Sequence, residues 1–332
     1  MIRVGIVNVT GYIGAELARL LSSHPEVRLS WATGRSEVGK RLSDVFPYLD
    51  DIQITPEPEE ADIVFSALPA GSSAKEVVPL VNKGMRVIDL SADFRLDEES
   101  LYPEWYGFSH PAPYLIKEKV YGLSELYRQD IAKASLVANP GCYPTATLLA
   151  LAPALQEGLI QPDIVVDAKS GMSGAGRTFS LATHFAEANE NLSAYALEGH
   201  RHLPEIIQEV RKMGGISPCV TFIPHLVPLT RGLLVTCYAS LTKETNVERL
   251  YQEFYRKEPF VEVVAFPPPT KLALGSNLCL IHPTIDRRTG KLIVVGCLDN
   301  LIKGGAGQAI QNMNLMLNFP EILGIPSKPL YP

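Results

Sequence analysis

The chain carries five cysteines, at 142, 219, 237, 279 and 297, and only one has surroundings that would make its sulfur react. Asn139-Pro140-Gly141-Cys142-Tyr143-Pro144-Thr145 follows a short apolar strand and precedes an apolar helix expected over Ala146–Leu155. Pro144 suits a first helical turn, where a missing N–H costs nothing. Cys142 therefore stands at a helix N-terminus, where the helix dipole favours thiolate over thiol. The other four cysteines lie in or beside apolar strand runs, the usual setting of a packed residue. An odd count without a CxxC pair argues against both a disulfide framework and a zinc site, so no metal is expected. A thiolate nucleophile is normally served by a base. His200-Arg201-His202 stands at the entrance of a helix opened by Pro204-Glu205, two histidines flanking a guanidinium. That is a cluster suited to binding anions and moving protons, and the sequence leaves open which histidine faces Cys142.

A second chemistry is written in glycines. Gly5-Ile6-Val7-Asn8-Val9-Thr10-Gly11-Tyr12-Ile13-Gly14 joins the first strand to the first helix. Such a turn lets backbone N–H groups reach a pyrophosphate at the helix N-terminus. Asn8 stands where glycine is more usual; it tolerates positive φ, but its side chain would crowd a phosphate if it pointed inward. At the end of the second strand an NAD site wants an acid, about 20 residues on, for the ribose 2′-hydroxyl. Here the segment is Thr33-Gly34-Arg35-Ser36. Arg35 suits a 2′-phosphate, with Thr33 or Ser36 beside it, so NADP(H) is the expected cofactor. Two further glycine-rich segments, Ser170 to Arg177 and Asp299 to Gln308, read either as anion nests or as plain flexible turns.

These residues need a scaffold. Arg3–Val7, Val27–Ala32, Asp62–Leu68, Arg86–Leu90 and Leu136–Ala138 read as buried strands, with the helix Gly14–Leu21 between the first two. Strand–helix alternation with buried strands means a Rossmann-type, doubly wound parallel sheet. From about residue 160 the strands Ile164–Ala168, Val220–Ile223, Leu233–Leu241, Val261–Phe266, Leu278–Ile285 and Leu292–Leu298 are often separated only by turns. They predict an α+β unit with a mixed sheet and helices at Leu203–Met213 and Val247–Lys257. A last helix over Ala306–Leu317 follows Gly304-Gly305. The expected division is 1–141 for an NADP-binding domain, 142–302 for a catalytic and oligomerisation domain, and 303–332 for a segment returning to the first.

Bulk properties exclude other classes. The 332 residues are 46% hydrophobic and 20% charged, an ordinary globular composition, with two domains the natural division. Thirty Lys plus Arg against 36 Asp plus Glu leave a net charge of −6, with the basic residues scattered, unlike a nucleic-acid binder. No apolar run approaches the roughly 18 residues of a membrane span. Met1 to Val7 reads as a strand that starts at once, so neither a signal peptide nor a membrane partner is expected, and the compartment is expected to be the cytoplasm.

Several strings taken together resemble the N-acetyl-γ-glutamyl-phosphate reductases, arginine-pathway relatives of aspartate-semialdehyde dehydrogenase. They are Asp89-Leu90-Ser91-Ala92-Asp93-Phe94-Arg95, Asn139 to Thr145, Asp167 to Arg177, His200 to Glu205, Pro224 to Gly232 and Asp299 to Asn314, in the family's order. The resemblance implies an acyl-phosphate substrate, a thioester on Cys142, and His200 or His202 moving protons. It implies Arg95 and Arg201 as anion anchors, with Ser170, Gly171 and Glu125 on the substrate side. Thr10, Gly11, Tyr12, Ile13 and Gly14 would line the pyrophosphate, Arg35 and Ser36 the 2′-phosphate, and Asn300 would lie near the nicotinamide. A homodimer or homotetramer is implied as well. The chain departs from the family pattern at Asn8, at Ala70 (where Leu-Pro-His-Gly is common) and at Ser124 (where proline is usual). A sister branch reduces an aminoadipyl phosphate borne on a small acidic carrier protein. One methylene is worth only about 1–3 kcal/mol of discrimination, so that alternative, the lysine-pathway reaction or one enzyme serving both pathways, stays open. A non-catalytic NADP-binding sensor is the alternative from another class.

Overall fold

Runs of buried Val, Ile, Leu and Phe build the first sheet. Its strands are β1 (Ile2–Val7), β2 (Val27–Thr33), β3 (Ile54–Thr55), β4 (Ile63–Ser66), β5 (Arg86–Asp89), β6 (Val120–Tyr121) and β7 (Leu136–Ala138). They lie in the order β3-β2-β1-β4-β5-β7-β6, and every pairing is parallel. A parallel sheet is covered on both faces, which is why β4 is buried at all four positions rather than at alternate ones. The strand order reverses between β1 and β4, and a doubly wound sheet leaves a ligand crevice at that point, beyond the strands' carboxyl ends. α1 (Tyr12–Ser22) follows β1 and buries Leu17, Leu20 and Leu21; α2 (Ser73–Asn82) follows β4. β3 and β6, with two residues each, are too short to show a period. The strand expected as fifth, Leu136–Ala138, is consequently seventh.

The second sheet contains β8 (Ile160–Gly171), β9 (Ser193–Ala194), β10 (Cys219–Val227), β11 (Leu233–Leu241), β12 (Val261–Val263), β13 (Cys279–Asp286) and β14 (Lys291–Leu298). Its order is β12-β13-β14-β11-β8-β10-β9. It is mixed: β8 runs parallel to β10 and β12 to β13, while β11 is antiparallel to both β8 and β14. β12 stops three residues short of the expected Phe266, since Pro267, Pro268 and Pro269 offer no N–H to a ladder.

Three long helices accompany this sheet among the described residues: α3 (Cys142–Gln156), α4 (Leu203–Gly214) and α5 (Val247–Tyr255). α3 begins four residues before the expected start and is buried from Tyr143 to Leu155. A helix apolar all round must be enclosed on every side. Pro153 has no N–H for the Leu149 carbonyl, and the Tyr255 hydroxyl donates to that carbonyl instead at 2.5 Å. Tyr251 adds a bond to the Ala150 carbonyl at 2.8 Å.

A π-helical turn, Ile302–Ala306, precedes α6 (Gly307–Met316). α6 is buried, yet presents Gln308, Gln311, Asn312 and Asn314. Their amides are used: Asn312 donates to the Gly122 carbonyl and to Asn139 Oδ1 at 2.8 and 3.1 Å, and Gln308 donates to the Gly122 carbonyl at 3.0 Å. Ser124, where the family carries proline, donates to Asn312 Oδ1 at 2.7 Å. The structure, a computed structural model, describes residues 1–331, which form two compact units: Met1–Gly141 with Gly305–Ile325, and Cys142–Gly304 with residues 326–331. The tail joins the second unit through the Leu330 N–H on the Leu274 carbonyl and the Asn277 N–H on the Pro326 carbonyl. No helix among the described residues is long and apolar enough to cross a membrane.

Candidate active site

In the first unit the β1–α1 turn is shaped to leave amides unused. Asn8 adopts φ +68°, the left-handed conformation that asparagine tolerates better than most residues. Its side chain does not crowd the turn: Nδ2 donates to the Ala67 carbonyl at 2.9 Å, across the reversal between β1 and β4. Val9 N–H donates to the Thr33 carbonyl and Asn8 N–H to Thr33 Oγ1, which ties the turn to the end of β2. Gly14 is there for close packing, since a Cβ would lie 2.5 Å from the Asn8 carbonyl oxygen. Gly11 is different: a Cβ there would meet nothing nearer than Asn8 Nδ2 at 3.9 Å. Gly11 is the N-cap of α1 and has no side chain with which to cap it. The first-turn N–H groups of a helix lack intrahelical partners, so they remain for an anion. Thr10 is buried against Gly34, and Arg35 and Ser36 are exposed just beyond it.

In the second unit Cys142 is the first residue of α3 and is half-buried. Burial pushes the Cys237 thiol well up, and burial together with Asp299 pushes Cys297 up to about 12, so both stay protonated. Tyr143, next to Cys142 in the chain, packs against both histidines: its ring lies 5.8 Å from that of His200 and 6.0 Å from that of His202. The two imidazoles are 4.9 Å apart and both are buried. His202 N–H donates to His200 Nδ1 at 3.1 Å, so the neutral His200 ring carries its proton on Nε2. Burial, and then Arg201, lower His200 to about 4, which keeps it neutral around pH 7. Tyr195 and Phe222, each with its ring 5.5 Å from His200, complete the wall. Sequence reasoning passed over Tyr143 and Tyr195; the aromatic directly after Cys142 was the available signal. Arg201 is exposed.

Several residues expected at the site are hydrogen-bonded within the chain. In the Ser170–Arg177 loop the N–H groups of Gly171, Met172 and Ser173 donate to the carbonyls of Gly232, Leu229 and Thr230. Ser170 is buried, with its hydroxyl on the Gly171 carbonyl. Asn300 is likewise committed, its Nδ2 donating to Ser173 Oγ at 2.9 Å and its Oδ1 accepting from Gly232 N–H at 2.8 Å. Arg95 is buried and donates to the carbonyls of Asn139 and Leu90 at 2.8 and 2.7 Å, at the strand end that leads to Cys142. Glu125 is buried in the first unit, accepting from Gln311 Nε2 at 3.0 Å.

The string Asp89 to Arg95 is in fact a scaffold. Asp93 accepts the N–H groups of Gly71 and Ala74, and Asp89 accepts the hydroxyls of Ser73 and Ser91. Burial, and then Asp93, raise Asp89 to about 6.

Comparison with known proteins places both halves in one class. Residues 3–134 match the family described as "Semialdehyde dehydrogenase, NAD binding domain" and residues 142–300 "Semialdehyde dehydrogenase, dimerisation domain". The same fold occurs in aspartate semialdehyde dehydrogenase II of Vibrio cholerae, solved with ASA, with a TM-score of 0.75, 18% identity, and 96% of this chain and 98% of that one covered. The Candida albicans aspartate semialdehyde dehydrogenase solved with NADP has a TM-score of 0.69 at 15% identity, covering 96% and 98% of the two chains. Within the class the sequence is more specific. The chain is 54% identical over 330 residues to the N-acetyl-gamma-glutamyl-phosphate reductase of Dehalococcoides mccartyi, with 97% of each covered, and 46% identical over 351 residues to that of Heliobacterium modesticaldum, with 100% of each covered. The chain belongs to the N-acetyl-gamma-glutamyl-phosphate reductase family, and it is an oxidoreductase.

Proposed function

We propose that the protein reduces N-acetyl-γ-glutamyl phosphate to N-acetylglutamate 5-semialdehyde and phosphate, in arginine biosynthesis, through a thioester on Cys142. The observation that carries this reading is Cys142 at the N-terminus of a buried helix, with His200 and His202 packed on the adjoining Tyr143, in a chain whose full-length relatives bear that activity's name. The Cys142 thiolate attacks the acyl carbon; the S–C bond forms, the C–O bond to phosphorus breaks and phosphate leaves. NADPH, when bound, supplies the hydride that converts the thioester to a thiohemiacetal. The C–S bond then breaks, yielding the aldehyde and returning Cys142 to thiolate. His200, neutral and protonated on Nε2, acts as a hydrogen-bond donor to the oxygen that gains charge, a role that needs no titration. His202 moves the proton between Cys142, the oxyanion and solvent.

The residues of the first unit fit the dinucleotide: uncapped amides at the start of α1 for the pyrophosphate, open space at Gly11, and exposed Arg35 and Ser36 for a 2′-phosphate. Arg201, the exposed guanidinium beside both histidines, is the anchor for the substrate's anionic groups. The chain works in the cytoplasm as a homo-oligomer, a reading supported by the dimerisation-domain match. The decisive variant is Cys142→Ala. Its turnover should fall by about a thousandfold or more, as expected when a covalent nucleophile is removed, while NADPH affinity stays within about twofold. Single-turnover assays and NADPH fluorescence titration read the two quantities; a variant keeping a tenth of its turnover rules out the covalent route.

A further inference from the structure

Asp299 follows β14 and is completely buried. Its Oδ1 accepts from Leu301 N–H at 2.9 Å, Ile302 N–H at 3.2 Å and Arg231 Nη2 at 3.0 Å, and its Oδ2 accepts from Gly275 N–H at 2.8 Å. Its own carbonyl receives Gly304 N–H at 3.0 Å. Both ends of the turn from 299 to 304 therefore close on this one residue. The far end of that turn touches the reactive cysteine: a Cβ on Gly304 would lie 2.7 Å from Cys142 Cβ and 3.2 Å from its Cα. Asn300, next in the chain, pins Gly232 and Ser173. Two consecutive residues thus tie together the loops around 171–173, 229–232 and 273–276 and the π-helical turn on which Cys142 rests.

A buried carboxylate is costly to desolvate and is retained where several donors converge on it. Four converge here, and they belong to three separate segments. Gly304 lies inside the π-helical turn and, lacking a Cβ, comes close to Cys142; such turns recur at functional sites. We propose that Asp299, with Arg231 as its counter-ion, is a positioning residue that sets the place of Cys142 through the 299–304 turn. The proposal rests on the reading of Cys142 as the nucleophile.

The test uses the full-length protein, Asp299→Asn and Gly304→Ala, and follows alkylation of Cys142 by iodoacetamide at pH 7.5 by peptide mass spectrometry. Cys219, exposed at the start of β10, is the internal reference thiol. Asp299→Asn loses the pair with Arg231 and the Gly275 bond but keeps an oxygen for Leu301 and Ile302. A displacement of about 1 Å at a reacting group costs about a hundredfold in rate, so kcat should drop by about 10- to 100-fold with KM within about threefold. The Cys142-to-Cys219 alkylation ratio should change by about fivefold or more. Gly304→Ala should reproduce both changes by pushing directly on Cys142, and it carries the test if Asp299→Asn does not fold. An unchanged alkylation ratio in both variants, or activity lost only in proportion to the unfolded fraction, overturns the proposal. If complete alkylation of wild-type Cys142 leaves activity intact, the nucleophile reading fails instead, and the ratio still reports on positioning.

Discussion

Two glycine-rich loops follow strands in this chain, one at residues 8–14 and one at 170–176, and they use glycine for opposite purposes. In the first, Gly11 borders open space and the amides at the start of α1 are left uncapped. In the second, a Cβ on Gly171 would lie 2.8 Å from the Leu229 carbonyl oxygen, and three successive amides are bonded to the loop from 229 to 232. One loop is kept open for something outside the chain; the other is closed on the chain itself. Glycine content alone does not separate the two, because a missing Cβ admits a ligand and a neighbouring backbone equally well.

Gly171→Ala should break the second loop without touching the first. Its Cβ meets backbone that cannot step aside, so stability should fall by about 3 kcal/mol, with NADPH affinity in the folded fraction unchanged. Urea unfolding and NADPH titration separate the two effects, and weaker NADPH binding would show that the loop serves the cofactor after all. Arg35→Ala acts at the rim of the first loop. Loss of a charged hydrogen bond, about 1.5–3 kcal/mol, should weaken NADPH by about 10- to 100-fold and leave NADH nearly unchanged. Equal losses for the two cofactors would remove Arg35 from the 2′-phosphate.

His200 extends the contrast to the closed interior of the second unit. Its pKa is about 4 in the fold against 6.5 in the unfolded chain. Above 6.5 both states are neutral and the residue is silent; between 6.5 and 4 the unfolded chain takes the proton first. Stability should therefore fall as pH drops through that window, by of order 1–2 kcal/mol between pH 6.5 and 5. His200→Gln should flatten that slope in urea midpoints measured against pH, and identical slopes would contradict a neutral buried imidazole. The smallest effect on stability belongs to Gly11→Ala. Alanine is a poorer N-cap than glycine and should cost less than about 1 kcal/mol, while NADPH affinity falls by about tenfold as the new methyl group enters the ligand's space. Unaltered NADPH affinity would place the pyrophosphate elsewhere.

Much of the scaffold was legible because periodicity survives in single elements. The buried runs of β1, β4 and β5, the long alternation of β11 and the thiol at a helix start can each be read from neighbours a few residues apart. Two-residue strands such as β3 and β6 carry no period, and they form because β2 and β7 offer edges to pair with. Site roles were less legible wherever a side chain had two possible partners. Arg95 and Asn300 are good anion and amide ligands by type, yet each is bonded within the chain, Arg95 to two backbone carbonyls and Asn300 to the Gly232 N–H and the Ser173 hydroxyl. Asp299 gave no sign of its importance, since its four donors come from three segments, the nearest of them only two residues away.

The sequence by itself determined the chemistry on offer: a thiol at a helix start, two histidines flanking an arginine, a glycine turn after the first strand, and an arginine in place of an acid after the second. Those depend on local spacing, which the chain carries wherever it goes. Only the tertiary structure decided which donors remain available. A hydrogen-bonding group is free or spent according to what lies against it, and here the deciding neighbours were tens to hundreds of residues away: Gly232 for the amide of Gly171 and Asn312 for Asn139.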